Sequence, residues 1–311
     1  MRLFSAATLL FSALLASAHP HNTREEAAAQ EAAQQALVQL VQGHSNFVTT
    51  INKESPGLLE QLEKDGQSPA FEFIGCSDSR VSEGTIFDAE PGTFFTQRNI
   101  ANQYSMSDSN AQSWMAYGIS ELGVTHIVVL GHYGCGGVAA SIASPAGSAD
   151  VTIAGATIEA WVQPIRALYE NSNRTEIVQL REANAAKEKV EEPEYDEPGF
   201  RALVEENAKH SADMIFADPV IKAHYAASAA KPKPIEAVTV LNRRRRNQRP
   251  VRRSTEGEAT QNVFIHTWVY DIRTGELKDL DHSYGPPGVD IPKLGPLLEQ
   301  RTAETAHAKT A

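Results

Sequence analysis

The chain has 311 residues, 41% of them hydrophobic and 22% charged, with a formal net charge of -11. This is the composition of a globular protein with one large or two smaller domains. The acidity argues against nucleic-acid binding, and two cysteines are too few for a disulfide-built scaffold, which a chain of this length does not need.

Arg2 followed by the apolar stretch Leu3–Leu15, too short to span a bilayer, reads as a secretory leader. Ala16-Ser17-Ala18 has the small-x-small pattern of a signal-peptidase site, so residues 1–18 are expected to be removed after Ala18 and the protein secreted. No later run is apolar enough for a membrane helix. Residues 19–56 form a helical arm, with Glu25–Gln42 rich in Ala, Glu, Gln and Leu. Ala36, Leu37, Leu40 and Val41 share one face of it and are expected to pack against a neighbour. A domain spanning 57–295 follows.

Pro56–Lys64 reads as a short helix, Phe71–Gly75 and Thr93–Gln97 as strands, and Ser113–Leu122 as a helix. His126–Leu130, between Gly123 and Gly131, is a β-branched run typical of a parallel core strand, and Gly136–Ala143 opens another helix. Strand, helix, strand in this order predicts an α/β fold with a central, mostly parallel sheet flanked by helices. Ile158–Tyr169, Thr175–Val190 and Gly199–Phe216 read as helices, with Glu191–Pro198 as an acidic linker. Asn173-Arg174-Thr175 is an N-glycosylation triplet. Residues 242–262 form an insertion with seven arginines between 243 and 253 and no apolar face. A solvated insertion, a furin-type cleavage site, a polyanion-docking loop and a gene-model artefact all fit it, since Val238–Leu241 and Val263–Ile265 look like rival starts of one strand. Val263–Ile272 reads as a strand, Thr274-Gly275 as a turn and Glu276–Leu280 as its return. Residues 296–311 read as a frayed tail.

The two cysteines end apolar runs in polar, glycine-rich turns: Gly75-Cys76-Ser77-Asp78-Ser79-Arg80 and Gly131-His132-Tyr133-Gly134-Cys135-Gly136-Gly137. In a secreted chain a pair of cysteines invites a disulfide. An Asp-x-Arg directly after Cys76 and a histidine three residues before Cys135 point to metal instead. Two thiolates and one imidazole are a soft donor set suited to zinc, with one coordination position left open. Both segments fall at carboxyl ends of expected parallel strands, the edge where such sheets bind ligands. Asp78 is placed to accept a hydrogen bond from a zinc-bound hydroxide, and Arg80 to keep that carboxylate ionised and off the metal. The alternative is a surface salt bridge of little value, which burial of Arg80 would exclude.

These motifs, with Arg98-Asn99-Ile100-Ala101-Asn102 between them, resemble the β-class carbonic anhydrases. The resemblance runs from about Gly57 to Ser141 and resumes at Leu203-Val204-Glu205-Glu206-Asn207 and Trp268-Val269-Tyr270-Asp271. It implies zinc-dependent, reversible hydration of carbon dioxide to bicarbonate and a proton by zinc-bound hydroxide. Zinc would be held by Cys76, His132 and Cys135, with the Asp78–Arg80 pair gating the fourth position. Finer matches resemble the plant-like branch: Gln67 as a substrate hydrogen-bonder, Phe95 and Ile100 as an apolar wall, and Tyr117 beside them. Where that branch has a shuttle histidine, this chain has Glu121, a poorer proton carrier at neutral pH. The resemblance also implies a homodimer or higher even oligomer, with the amino-terminal helical arm used in dimerisation and the active site at the interface. Two other functions remain open at this level. One is carbon disulfide or carbonyl sulfide hydrolysis on the same scaffold. The other is a non-catalytic, zinc-stabilised or disulfide-linked binding domain.

Overall fold

The structure, a computed structural model, describes residues 23–145, 147, 151–229 and 261–295. The expected leader (1–18), residues 242–260 of the expected arginine-rich insertion, Val238–Leu241 and the tail from 296 lie outside the described residues. The chain divides into two compact units, Met1–Gln61 and Leu62–Ala311.

The first unit holds α1 (Thr23–Glu54), which runs twelve residues past the expected end at Gln42. Nothing between His44 and Glu54 breaks a helix, and side chains such as Ser45 and Thr49 bond back to carbonyls four residues earlier. Leu37, Leu40 and Val41 are 59%, 73% and 65% exposed. The face expected to pack is thus open within one chain.

Helix α2 (Leu58–Asp65) crosses the boundary at Gln61 and leads into β1 (Phe71–Cys76) of the second unit. Then come α3 (Glu83–Ile86), β2 (Phe94–Asn99), α4 (Ser109–Tyr117), β3 (His126–His132), α5 (Gly136–Ile142), α6 (Ile153–Asn171) and α7 (Thr175–Ala185). The order closes with α8 (Pro198–Ala217), α9 (Pro219–Ala229), β4 (Phe264–Tyr270) and β5 (Leu277–Asp279). The sheet order is β2-β1-β3-β4-β5, parallel throughout except for β5, which returns antiparallel beside β4. The expected hairpin therefore forms. Helix α7 stops at Ala185, five residues before the expected end at Val190.

Helix α8 shows why the helices form where they do. Glu197 accepts a bond from the Gly199 amide and Pro198 occupies the first turn, where its missing amide costs nothing. Leu203, Ala208, Ala212 and Ile215 then line a fully buried stripe against the sheet. Asp218 ends α8 and caps α9 through the Val220 amide, so Pro219, which reads as a breaker, starts a helix absent from the sequence reading. Phe73, Ile74, Ile127, Leu130 and Ile265 are all but fully buried, each contributing about 1.5–3 kcal/mol. Together these strands fix the sheet on which the site is built.

One core position breaks the pattern. Glu72 is fully buried, and neither carboxylate oxygen has a hydrogen-bond partner. It pairs in register with Phe95 and Ile127, and its carboxyl group lies against the α-carbon of Gly118, where any Cβ would collide with it. Gly118 opens a π-helical turn (Gly118–Leu122) where an α-helix was expected to continue to Leu122. Burial pushes the Glu72 carboxyl well above its ordinary 4.5. The unfolded chain ionises first as pH rises, so stability present below about pH 4.5 is lost as pH climbs toward the folded value. Glu72→Leu is expected to flatten that slope, so that its gain in stability over the wild-type chain is larger at pH 8 than at pH 5. Urea denaturation at pH 5 and pH 8 measures it; an equal loss of stability at both would reject the assignment.

Candidate metal centre

Adjacent parallel strands bring the two cysteine segments together. Gly75 on β1 lies in register with Leu130 on β3, so Cys76 and His132 leave the same edge of the sheet. Cys135 caps the start of α5. One ligand atom from each of Cys76, His132 and Cys135 lies within 4.8 Å of the others, and all three residues are buried. The sulfurs are 3.9 Å apart and both cysteines are free. That is nearly twice a disulfide bond length, so the disulfide reading does not hold here.

His132 Nδ1 bonds the Tyr133 carbonyl at 3.1 Å, which makes Nδ1 the donor and leaves Nε2 with its lone pair. Nε2 is buried without a hydrogen-bond partner. A buried acceptor facing two sulfurs is costly unless a cation satisfies it. The thiols are biased the same way. The hydrogen bond from Cys135 lowers Cys76 to about 4, and the same contact, with burial, raises Cys135. A pair this close shares one negative charge; a divalent cation between them would take both as thiolates. The Ala101 amide, held by a left-handed backbone at φ 62°, adds a bond to the Cys76 sulfur at 3.3 Å.

Asp78 sits beside this set, its Oδ2 3.8 Å from His132 Nε2. Arg80 grips it through three bonds: its amide at 2.9 Å, Nε at 3.0 Å and Nη2 at 2.6 Å. These contacts, the Arg80 side chain first, hold the Asp78 carboxyl at about 2. Arg80 also donates to the Gly134 carbonyl in the other cysteine segment at 3.3 Å. Its side chain is 55% exposed, so burial does not distinguish this pair from a surface salt bridge. The bidentate geometry and the bond across to Gly134 do.

Arg98 and Asn207 were not singled out as site residues from sequence. Arg98 donates to the carbonyls of Cys76 at 2.9 Å and Asp78 at 2.7 Å, fixing the loop that carries both. Asn207 donates to the Ala101 carbonyl at 2.8 Å. Each lies inside a motif quoted for the resemblance; its partners are main-chain atoms distant in sequence, which no spacing rule shows.

Ile100 follows Asn99, the register partner of Cys76, and packs over Gly137, so it stands beside the cluster. It is 40% exposed and lines an apolar groove of about 390 Å³ with Ile158 and Trp161. Phe95 and Tyr117 pair with each other, ring centroids 5.7 Å apart. Phe95 lies four residues before Asn99, roughly 13 Å back along the strand. Gln67 is exposed and precedes β1, at the end remote from Cys76. These three therefore do not join the cluster of their own chain. Glu121 is exposed in the π-helical turn. His126, whose Nδ1 lies 2.9 Å from His266 Nε2 and which stacks on Phe71, opens β3 and so stands at the end of the strand remote from His132.

A soft three-ligand pocket at the carboxyl edge of a parallel sheet, flanked by a fixed carboxylate, defines an α/β metalloenzyme. The carbonic anhydrase family profile matches residues 71–232. A carbonic anhydrase of Emericella nidulans is 30% identical over 231 residues, 74% of this chain and 77% of that protein. One from Candida albicans is 34% identical over 120 residues, 39% of this chain and 40% of its own. The chain thus belongs to the carbonic anhydrase family, the carbonate dehydratases. Its fold is that of the β class. A tetrameric β-carbonic anhydrase of Sordaria macrospora superposes with a TM-score of 0.58 at 23% identity, covering 80% of this chain and 99% of that one. A Coccomyxa enzyme solved with acetazolamide gives 0.55 at 23%, covering 80% and 87%. No helix among the described residues is long and apolar enough to cross a membrane.

Proposed function

We propose that this chain catalyses the zinc-dependent, reversible hydration of carbon dioxide to bicarbonate and a proton. The observation that carries it is the buried, unpartnered His132 Nε2 facing two sulfurs beside a clamped Asp78. The donor set fits zinc. Tetrahedral geometry with Zn–S bonds of about 2.3 Å requires sulfurs about 3.8 Å apart, and these are 3.9 Å apart. Cys76, His132 and Cys135 would hold the ion, leaving one position open. When bound there, zinc lowers the pKa of water to about 7 and so supplies a hydroxide nucleophile at neutral pH.

The chain's own residues do the rest. Asp78 is acceptor-only at working pH and orients the nucleophile by taking its proton in a hydrogen bond. Arg80 keeps Asp78 charged and turned aside from the ligands. Ile100 gives the mouth an apolar wall, suited to a substrate without charge. No observation favours carbon disulfide, carbonyl sulfide or a non-catalytic domain over this reading. Stopped-flow hydration with metal analysis tests it: one zinc per chain and activity removed by a chelator are expected. A folded, zinc-loaded chain without activity rejects it.

Gln67, Phe95 and Tyr117 are too far from their own chain's cluster, and Tyr117 is 48% exposed. In this reading they serve the site of a second copy, as the plant-like resemblance implies, which makes a dimer the minimal active unit. Co-expressing Cys76→Ser with Phe95→Ala/Tyr117→Ala is expected to regain activity that neither has alone, because mixed dimers contain one intact site. Mixed dimers isolated without such recovery would rule out a shared site.

A further inference from the structure

The carbonyl that orients His132 belongs to Tyr133, and Tyr133 is held at three further points. Its amide donates to the Tyr270 carbonyl at 3.0 Å. The Arg201 guanidinium lies 3.5 Å over its ring. Its hydroxyl donates to Glu205 Oε1 at 2.5 Å. Glu205 is buried in α8 and clamped from two other elements. Lys278 of β5 bonds Oε1 at 2.7 Å and Arg174, at the head of α7, reaches Oε2 at 2.8 Å. Arg201 is tied in turn to Asp271 at 3.1 Å. None of these side chains is among the ligand-bearing residues, and the proposed reaction uses none of them directly.

A buried carboxylate is retained at a cost unless its partners are complete, and here they are. The usual reading of such a cluster is structural, a pin between α7, α8 and β5. Its placement says more. Tyr133 directly follows His132 and carries both the hydroxyl that joins the cluster and the carbonyl that accepts from that ligand. Gly134 then turns sharply, at φ 72°, with the Tyr195 ring against its α-carbon. The Tyr133 peptide is therefore held both by its side chain and by the turn that follows.

We infer that Tyr133 and Glu205 are positioning residues for the metal centre: the hydroxyl–carboxylate bond fixes the Tyr133 peptide, whose carbonyl sets the ring orientation of His132. The inference rests on Cys76, His132 and Cys135 being the zinc set. Hydrogen-bond partners of metal-bound histidines typically contribute 10–100-fold in metal affinity. Tyr133 acts one bond further out through its side chain, so a change of up to about tenfold is expected.

The test is Tyr133→Phe and, separately, Glu205→Gln, each compared with the wild-type chain. Zinc affinity is read by chelator competition and ligand geometry by the visible spectrum of the cobalt-substituted protein. Both are measured at a temperature where unfolding curves show each protein fully folded. Weaker zinc binding with a shifted cobalt spectrum is expected in both. A purely structural pin would lower the melting temperature and leave affinity and spectrum unchanged, and that result overturns the inference. If Glu205→Gln fails to fold, Tyr133→Phe, which loses one hydroxyl, decides. Neither readout uses carbon dioxide turnover. A chain that binds zinc but does not hydrate carbon dioxide would refute the proposed function and leave this inference standing. A chain whose three ligands bind no zinc would refute both.

Discussion

Cys76→Ser is expected to leave a folded protein with little or no zinc and carbon dioxide hydration at the uncatalysed rate. The reason is the size of the effect the metal supplies. Free water has a pKa of about 15.7, and zinc brings it to about 7. Losing the ion removes nearly nine units of acidification, and no side chain at the site replaces them. A serine hydroxyl is a hard, neutral donor and leaves two strong ligands where three are needed. Cys76 also accepts the Ala101 amide, so serine keeps a local hydrogen bond and the loop its shape. Zinc content by mass spectrometry of the native protein and stopped-flow turnover check this together. Full activity with zinc retained would mean that Cys76 is not a ligand.

Asp78→Ala is expected to separate metal binding from catalysis. Zinc content should stay at one per chain, because Asp78 is outside the ligand cluster. Turnover should fall on the order of 10²-fold, the usual cost of deleting one preorganised polar contact to the reacting centre. Folding should hardly suffer. Arg80 is half exposed, so losing its partner strands no buried charge. Asp78→Asn sharpens the point. Its amide nitrogen donates where the carboxylate only accepts, so isosteric shape alone should not restore the rate. Unchanged turnover in Asp78→Ala would return the pair to an ordinary salt bridge.

Much of this was legible in sequence because it is local. The β-branched run at His126–Leu130 and the Gly-Cys and Gly-His turns name strands and their carboxyl ends directly. Helix ends were less legible. Residue type alone does not say whether a proline breaks a helix or opens one. Pro219 opens one only because Asp218 stands before it as a cap. The π-helical turn at Gly118 was invisible for a different reason: it coincides with a carboxyl group from another strand, a contact 46 residues away in sequence.

The sequence by itself determined the candidate ligand types, their order and the strands that carry them, since donor chemistry and strand endings are properties of short segments. Only the tertiary structure decided that the two thiols stand 3.9 Å apart as free cysteines rather than a disulfide. It alone showed that Arg80 is fixed by geometry and not by burial. It also divided the predicted pocket residues, keeping Ile100 beside the cluster and placing Gln67, Phe95 and Tyr117 away from it. Distance along a strand, register between strands and the partner of a main-chain carbonyl depend on how remote segments meet.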